Sequence, residues 1–283
     1  MRDGYLVSSG EDLPQLHGHS NNHPLTIMNR SKLLSLVAVT AMVSILPTAR
    51  VVAQAAPPAP TADQKIDATT PASRSGEEWW MKRHAEKMEE LKKGDCELLL
   101  IGDSITHGMD ADGVGAKVWK EFFVPRKAVN LGFGGDRTQH VLWRLEQMPK
   151  LKTAPKGAVI LIGTNNVCWG SDTPRNAALG IQAVARKLQE ICPETKIVVL
   201  AVFPRRNEPD HKFRKQINEI NSYLPELLKD MKNVTLLDIG PKFLDDKGFL
   251  LKGVMPDTTH PSEKGYEIWA EAIAPELKKM SGE

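Results

Sequence analysis

Five times after Gly94 a short apolar run gives way to a longer stretch of helical spacing, and that order restricts the chain to few folds. Parallel strands cannot be joined by tight hairpins. Each pair needs a crossover, normally a helix, so this alternation is the signature of a parallel sheet covered on both faces. The expected strands are Glu97–Ile101, Ala128–Leu131, Ala158–Ile162, Lys196–Val202 and Val234–Asp238. Helical spacing covers Val114–Phe122, Asp136–Met148, Pro174–Ile191 and Phe213–Lys229, with a last helix from Ser262 to Lys279. The expectation is an α/β chain, a three-layer α/β/α sandwich with a five-stranded parallel sheet. Right-handed crossovers then bring the loops that follow the strands to one sheet edge, where ligands bind in such folds. A further helix is expected ahead of the sheet, over Glu77 to Lys93, where Trp79, Trp80, Met81, Met88 and Leu91 fall at partly helical spacing and Gly94 suits a C-terminal cap. Docking on the domain accounts for its adjacent tryptophans; lining a sugar or lipid site is the alternative.

Polar residues with chemical potential cluster after the strands. Gly102-Asp103-Ser104-Ile105 directly follows the run Leu98–Ile101. A serine on a turn that opens a helix presents its hydroxyl at the sheet edge and leaves its N–H free. That suits a nucleophile, and it equally suits a helix cap. A serine hydroxyl needs a base, and the base needs an orienting group. Asp257-Thr258-Thr259-His260 supplies both, with Pro261 keeping His260 out of helical geometry. A metal pair is the competing reading of Asp257 and His260, but no further ligands stand at convincing spacing and no His-Glu-x-x-His motif occurs. Donors for an oxyanion come from two loops. Gly163-Thr164-Asn165-Asn166 brings the Asn165 amide, and Gly132-Phe133-Gly134-Gly135-Asp136 brings backbone N–H groups without side-chain obstruction. Each loop alone is also an ordinary strand-to-helix turn, and the glycines lack dinucleotide-binding spacing.

Taken in order, Gly-Asp-Ser, the Gly-rich turn, Gly-x-Asn and Asp-x-x-His resemble the four sequence blocks of the SGNH (GDSL-type) hydrolase family. The middle of the chain is similar to the catalytic subunits of the intracellular platelet-activating factor acetylhydrolases, through Asn130–Asp136, His140–Leu145, Gly163–Asn166 and Phe203-Pro204-Arg205. The likeness covers roughly residues 95 to 280. It implies a flavodoxin-like sandwich and a carboxylic ester hydrolase with catalytic residues Ser104, Asp257 and His260. The implied oxyanion donors are Ser104, Gly135 and Asn165, with Gly132 as the fallback glycine. It implies no cofactor and no metal, acetyl above other acyl groups, and a homodimer as one assembly to consider. A non-catalytic module for a polysaccharide or protein, and a thioesterase or lysophospholipase, are the competing functions. His107 is expected on the helix surface or behind the site. Asp103 and Asp136 are expected to order the loops through backbone hydrogen bonds. Arg205, Arg206, His211, Lys212 and Arg214 read as a solvated loop, or else as a rim meeting an anionic or polar substrate.

The remaining sequence bounds organisation and partners. With 283 residues and 41% hydrophobic content, the chain has one catalytic domain's worth of core. Lys plus Arg number 37 against 35 Asp plus Glu, so the net charge of +2 gives no reason to expect nucleic acid as a partner. Cys96, Cys168 and Cys192 fit neither a disulfide framework nor a structural zinc site. Residues 1–27 are polar, with His17, His19 and His23, and read as a disordered leader or a misassigned start. Residues 28–55 read as a signal peptide: Arg30 and Lys32, an apolar run from Leu33 to Leu46, then Ala53-Gln54-Ala55. That run is short of the roughly 20 apolar residues of a spanning helix. The implied destination is outside the cytoplasm, periplasmic or extracellular. Residues 56–75, rich in Pro, Ala and Thr, read as a flexible linker, and 76–283 as the hydrolase domain.

Overall fold

The computed structural model describes residues 67–170 and 172–282. The leader, the signal peptide and the start of the linker expected from sequence lie outside them.

A five-stranded, all-parallel sheet forms from β1 (Leu98–Gly102), β2 (Ala128–Gly132), β3 (Gly157–Leu161), β4 (Lys196–Leu200) and β5 (Val234–Leu237), in the order β2-β1-β3-β4-β5. This is the flavodoxin-like order, with the direction of winding reversing between β1 and β3. Strand side chains alternate between faces and feed two cores. Leu99, Ile101, Val129 and Ile160 join α1 (Glu78–Lys92), α4 (Thr138–Glu146), α6 (Pro174–Ile191) and α7 (Lys212–Leu228) on one face. Leu98, Leu100, Val159 and Leu161 pack on the other with Phe123 and with Tyr266, Trp269 and Ile273 of α8 (Glu263–Ser281). Burial of both faces explains why the central strands β1 and β3 are apolar throughout rather than alternating, whereas β5 is only partly buried. Two short helices, α2 (Ser104–His107) and α5 (Thr164–Cys168), open directly after β1 and β3.

Two regions differ from expectation. The helix expected over Val114–Phe122 is broken into the single-turn α3 (Ala116–Val118), a π-helical turn at Trp119–Phe123 and a 3-10 turn at Val124–Arg126. Pro125 cannot donate to a continuing helix. The wide turn lets Trp119 stack on Phe123, with centroids 5.3 Å apart, while Phe123 is buried. The linker expected over 56–75 is docked on the domain from residue 67. Ala68 is buried and its carbonyl accepts from Thr138 Oγ1 at 2.7 Å, and Ala72 N–H donates to the Gln139 carbonyl at 3.0 Å. The three cysteines are free thiols.

Candidate active site

The end of β1 leaves no room for a side chain: a Cβ at Gly102 would sit 2.2 Å from Thr106 Oγ1 and 2.3 Å from the Leu161 carbonyl. The turn is therefore pressed against its neighbours, and Asp103 closes it by accepting from Ile105 N–H at 2.9 Å. Asp103 is fully buried, which pushes its carboxyl up to about 7. Ser104 follows as the first residue of α2. Tyr266 of α8 donates its hydroxyl to the Ile105 carbonyl at 2.8 Å and so ties the C-terminal helix to this turn.

The same helix positions the second group. Ser262 caps α8, and the preceding loop carries His260 against Ser104, with Nε2 2.8 Å from Oγ. His260 Nδ1 lies 2.6 Å from Asp257 Oδ2. Asp257 Oδ1 accepts from the N–H groups of Thr259 and His260 at 2.9 and 2.7 Å, so one carboxylate both builds the loop and faces the ring. Burial disfavours its charge, yet the bonds from His260 outweigh that and hold its pKa below the usual value. Thr258 between them has φ of +61°, an uncommon backbone for a β-branched residue, and Arg206 N–H holds its carbonyl at 2.8 Å. Such a strained residue beside a polar triad is what functional loops often contain.

The two donor loops meet at the same edge. Gly132 pairs in register with Gly102, and Leu161 with Gly102 on the other side. Asn165, buried on α5, donates from Nδ2 to the Asp136 carbonyl at 3.0 Å, so the loops after β2 and β3 touch. Of the three glycines in the β2 loop, Gly132 gives its N–H to Asn130 Oδ1 at 2.8 Å and Gly134 gives its own to His107 Nδ1 at 3.3 Å. Gly135 is exposed, has φ of +75°, and its N–H meets no acceptor among the described residues; nor does that of Ser104.

Beneath this loop lies a charged cluster the sequence did not announce. Asp136, expected to order the turn through backbone bonds, instead spends its carboxylate on side chains: Arg144 Nε at 2.9 Å, Trp80 Nε1 at 2.7 Å and Arg74 Nη1 at 2.9 Å. Arg144 is buried and also donates to the Leu131 carbonyl at 3.1 Å. Trp80 is core, whereas Trp79 is 43% exposed and stacks on His107 with centroids 6.4 Å apart. Burial, with Arg83 and Lys87 nearby, lowers His107 to about 4, so it is neutral and its Nδ1 accepts from Gly134. Arg205 and Arg214, expected on a solvated loop, are buried; Arg214 Nε donates to the Arg205 carbonyl at 3.0 Å and Arg205 Nη1 to Thr164 Oγ1 at 3.3 Å. An open groove of about 510 Å³ runs beside Gly135, lined by Arg74, Glu77, Arg137, His140 and the highly exposed Trp169.

A model of the GDSL-like lipase/acylhydrolase family matches residues 100–268. The chain belongs to this family. Over 191 residues it is 34% identical to the platelet-activating factor acetylhydrolase IB subunit alpha2 of Rattus norvegicus, spanning 68% of this chain and 80% of the relative. A GDSL-like lipase from Bacteroides thetaiotaomicron shares the fold at 22% identity, with a TM-score of 0.57 and coverage of 70% and 97% of the two chains. An acetyl xylan esterase, AlAXEase, does so at 20% identity, TM-score 0.52, over 64% and 98%. As a GDSL acylhydrolase, this chain is a carboxylic ester hydrolase. Ser104, Gly135, Asn165, Asp257 and His260 all lie within the matched region. Arg74 and Trp79 lie before the matched region.

Proposed function

We propose that the chain is an exported serine esterase that removes short acyl groups, acetyl above all, from a carbohydrate or lipid ester. The observation that carries the reading is the unbroken hydrogen-bonded line from Ser104 Oγ through His260 to Asp257, at 2.8 and 2.6 Å. His260 Nε2 takes the Ser104 proton as Oγ attacks the ester carbonyl carbon. Asp257 keeps the remaining proton on Nδ1 and steadies the imidazolium. The tetrahedral oxyanion receives the N–H groups of Ser104 and Gly135 and the Asn165 amide, in a site where such donors are worth about a hundredfold to a thousandfold each. Collapse expels the alcohol, which takes its proton from His260, and water then cleaves the acyl-enzyme by the reverse roles.

The polar, open groove with its exposed Trp169 favours a sugar-borne ester, since an indole face stacks on a ring while polar neighbours take hydroxyls. The acetylhydrolase and acetyl xylan esterase relatives support acetate as the acyl group. Export rests on residues 28–55, whose charged start, apolar run and Ala-Gln-Ala site suit cleavage by signal peptidase.

Hydrolysis of p-nitrophenyl acetate by the wild type and by Ser104→Ala tests the mechanism. Activity that vanishes in the variant is expected, whereas equal rates, or none in either, would return the chain to the binding-module reading. A series of acyl lengths tests the substrate, and rates climbing steadily toward long chains would remove the short-acyl assignment. The N-terminus of the protein recovered outside the cytoplasm tests export; full-length chain retained inside would refute it.

A further inference from the structure

The loop after β2 is a tight turn. Asp136 N–H donates to the Phe133 carbonyl at 3.1 Å, and the third residue, Gly135, has φ of +75° while Gly134 does not have positive φ. That combination makes Phe133–Asp136 a type II turn. Types I and II differ by about 150° in ψ of the second residue and about 170° in φ of the third, which amounts to rotating the peptide between them. Here that peptide consists of the Gly134 carbonyl and the Gly135 N–H. Two successive glycines offer little steric resistance to the rotation.

In a trans peptide the C=O and N–H point in opposite directions, so whatever grips the carbonyl aims the N–H. The grip comes from the docked segment ahead of α1. Arg74 Nη1 donates to the Gly134 carbonyl at 2.6 Å, and Glu77 fixes the guanidinium from behind through Nε at 2.9 Å and Nη2 at 2.6 Å. Trp79 lies under it, 5.3 Å from the guanidinium carbon to the ring centroid. Neutralising Asp136 does not require Arg74, because Arg144 and Trp80 already hold that carboxylate. The contact peculiar to Arg74 is the one to the peptide.

We propose that Arg74 is a positioning residue for ester hydrolysis: by holding the Gly134 carbonyl it locks the adjoining peptide so that the Gly135 N–H faces the oxyanion, and without it the turn flips and withdraws that donor. The proposal rests on Gly135 being an oxyanion donor in the reading above. It gives the segment at 67–77, which lies before the family-matched region, a part in the reaction.

The full chain, Arg74→Ala and Arg74→Lys would be compared in p-nitrophenyl acetate hydrolysis and in amide NMR spectra with 15N-labelled glycine. Losing an oxyanion donor outright costs about a hundredfold to a thousandfold. A flip that only depopulates it should lower kcat in Arg74→Ala by ~10-fold to ~100-fold with KM within about twofold. Millimolar guanidinium should restore part of that rate, Arg74→Lys should fall between wild type and Arg74→Ala, and the Gly135 amide resonance should move. A kcat within about twofold of wild type, a loss confined to KM, or an unmoved Gly135 resonance would overturn the proposal. If Arg74→Ala does not fold, Arg74→Lys reads the same kcat and the same resonance. Absence of Ser104-dependent hydrolysis in the wild type would defeat the functional reading instead, and the Gly135 resonance would still decide whether Arg74 sets the peptide.

Discussion

Replacing Asp257 by Asn should slow hydrolysis by between about fivefold and a thousandfold, less than the same change costs where the carboxylate is buried. The Asn Oδ1 can still accept from the Thr259 and His260 N–H groups, now bonded at 2.9 and 2.7 Å, so the loop keeps its shape; Nδ2 then faces His260 Nδ1 and favours the proton on Nε2, an effect that water reaching this open pair weakens along with the charge. The lost interaction is the one across 2.6 Å to His260 Nδ1, which supports the imidazolium formed during attack. Both partners are open, with side-chain exposures of 43% for His260 and 57% for Asp257. Two unit charges about 4 Å apart attract by about 1 kcal/mol in water and about 4 kcal/mol at an effective dielectric constant near 20. At about 1.4 kcal/mol per tenfold, those limits translate into the stated range. A buried triad aspartate loses about 10⁴ in kcat when made Asn. The assay is kcat for p-nitrophenyl acetate near pH 8, alongside a thermal melt to show that the fold is retained. A loss below about threefold would mean that the carboxylate does not support the imidazolium. A loss of about 10⁴ or more would mean that solvent exposure does not weaken the pair, and the reasoning would fail.

Stability should rise with pH between about 4 and 6.5. His84, His107 and His140 are each lowered from 6.5 to about 4, with burial the largest cause, so over that window the unfolded chain takes up protons that the folded chain refuses. Asp103, raised to about 7, works the other way by keeping a proton when folded, so Asp103→Asn should steepen the rise; a flat or falling urea midpoint across this window would contradict the assignment. Arg144→Leu should destabilise by about 3–5 kcal/mol in urea, because it strips the buried Asp136 carboxylate of a partner. A change under about 1 kcal/mol would mean that Arg74 and Trp80 suffice for that charge.

The sheet was legible because its central strands β1 and β3 are buried on both faces and therefore read as unbroken apolar runs, and α6 has the bounds expected because Pro174 starts it and its apolar residues keep one period. Ser104, Asn165 and the Asp257–His260 pair stood out because each follows a strand or precedes a Pro, where polar residues have no core to join. The segment 108–126 did not read correctly. Gly108 and Gly115 answer to close approaches, a Cβ at Gly115 meeting the Met109 carbonyl at 2.5 Å, rather than to local helical preference. Arg74 was missed because a Pro- and Ala-rich composition describes what a segment cannot bury, whereas docking here works through one small residue, Ala68, a backbone bond from Ala72 and one guanidinium. That the Asn130 side chain folds back on its own strand and takes the Gly132 N–H is something no spacing rule reports.

The bond from Tyr266 to Ile105 has a consequence for when the enzyme comes to life. It joins residues 161 apart, and Ser104 and His260 are separated by 156. On a ribosome the Ser104 turn emerges long before His260, and domains fold largely from the N-terminal side as they are made. On the proposed mechanism, a nascent chain halted before Asp257 would carry Ser104 with neither His260 nor its carboxylate partner to draw the proton away, so it would be chemically idle. The first turnover would thus certify that the Asp257–His260 loop has been made and seated on Ser104, and hydrolysis can serve as a clock for that late event of maturation.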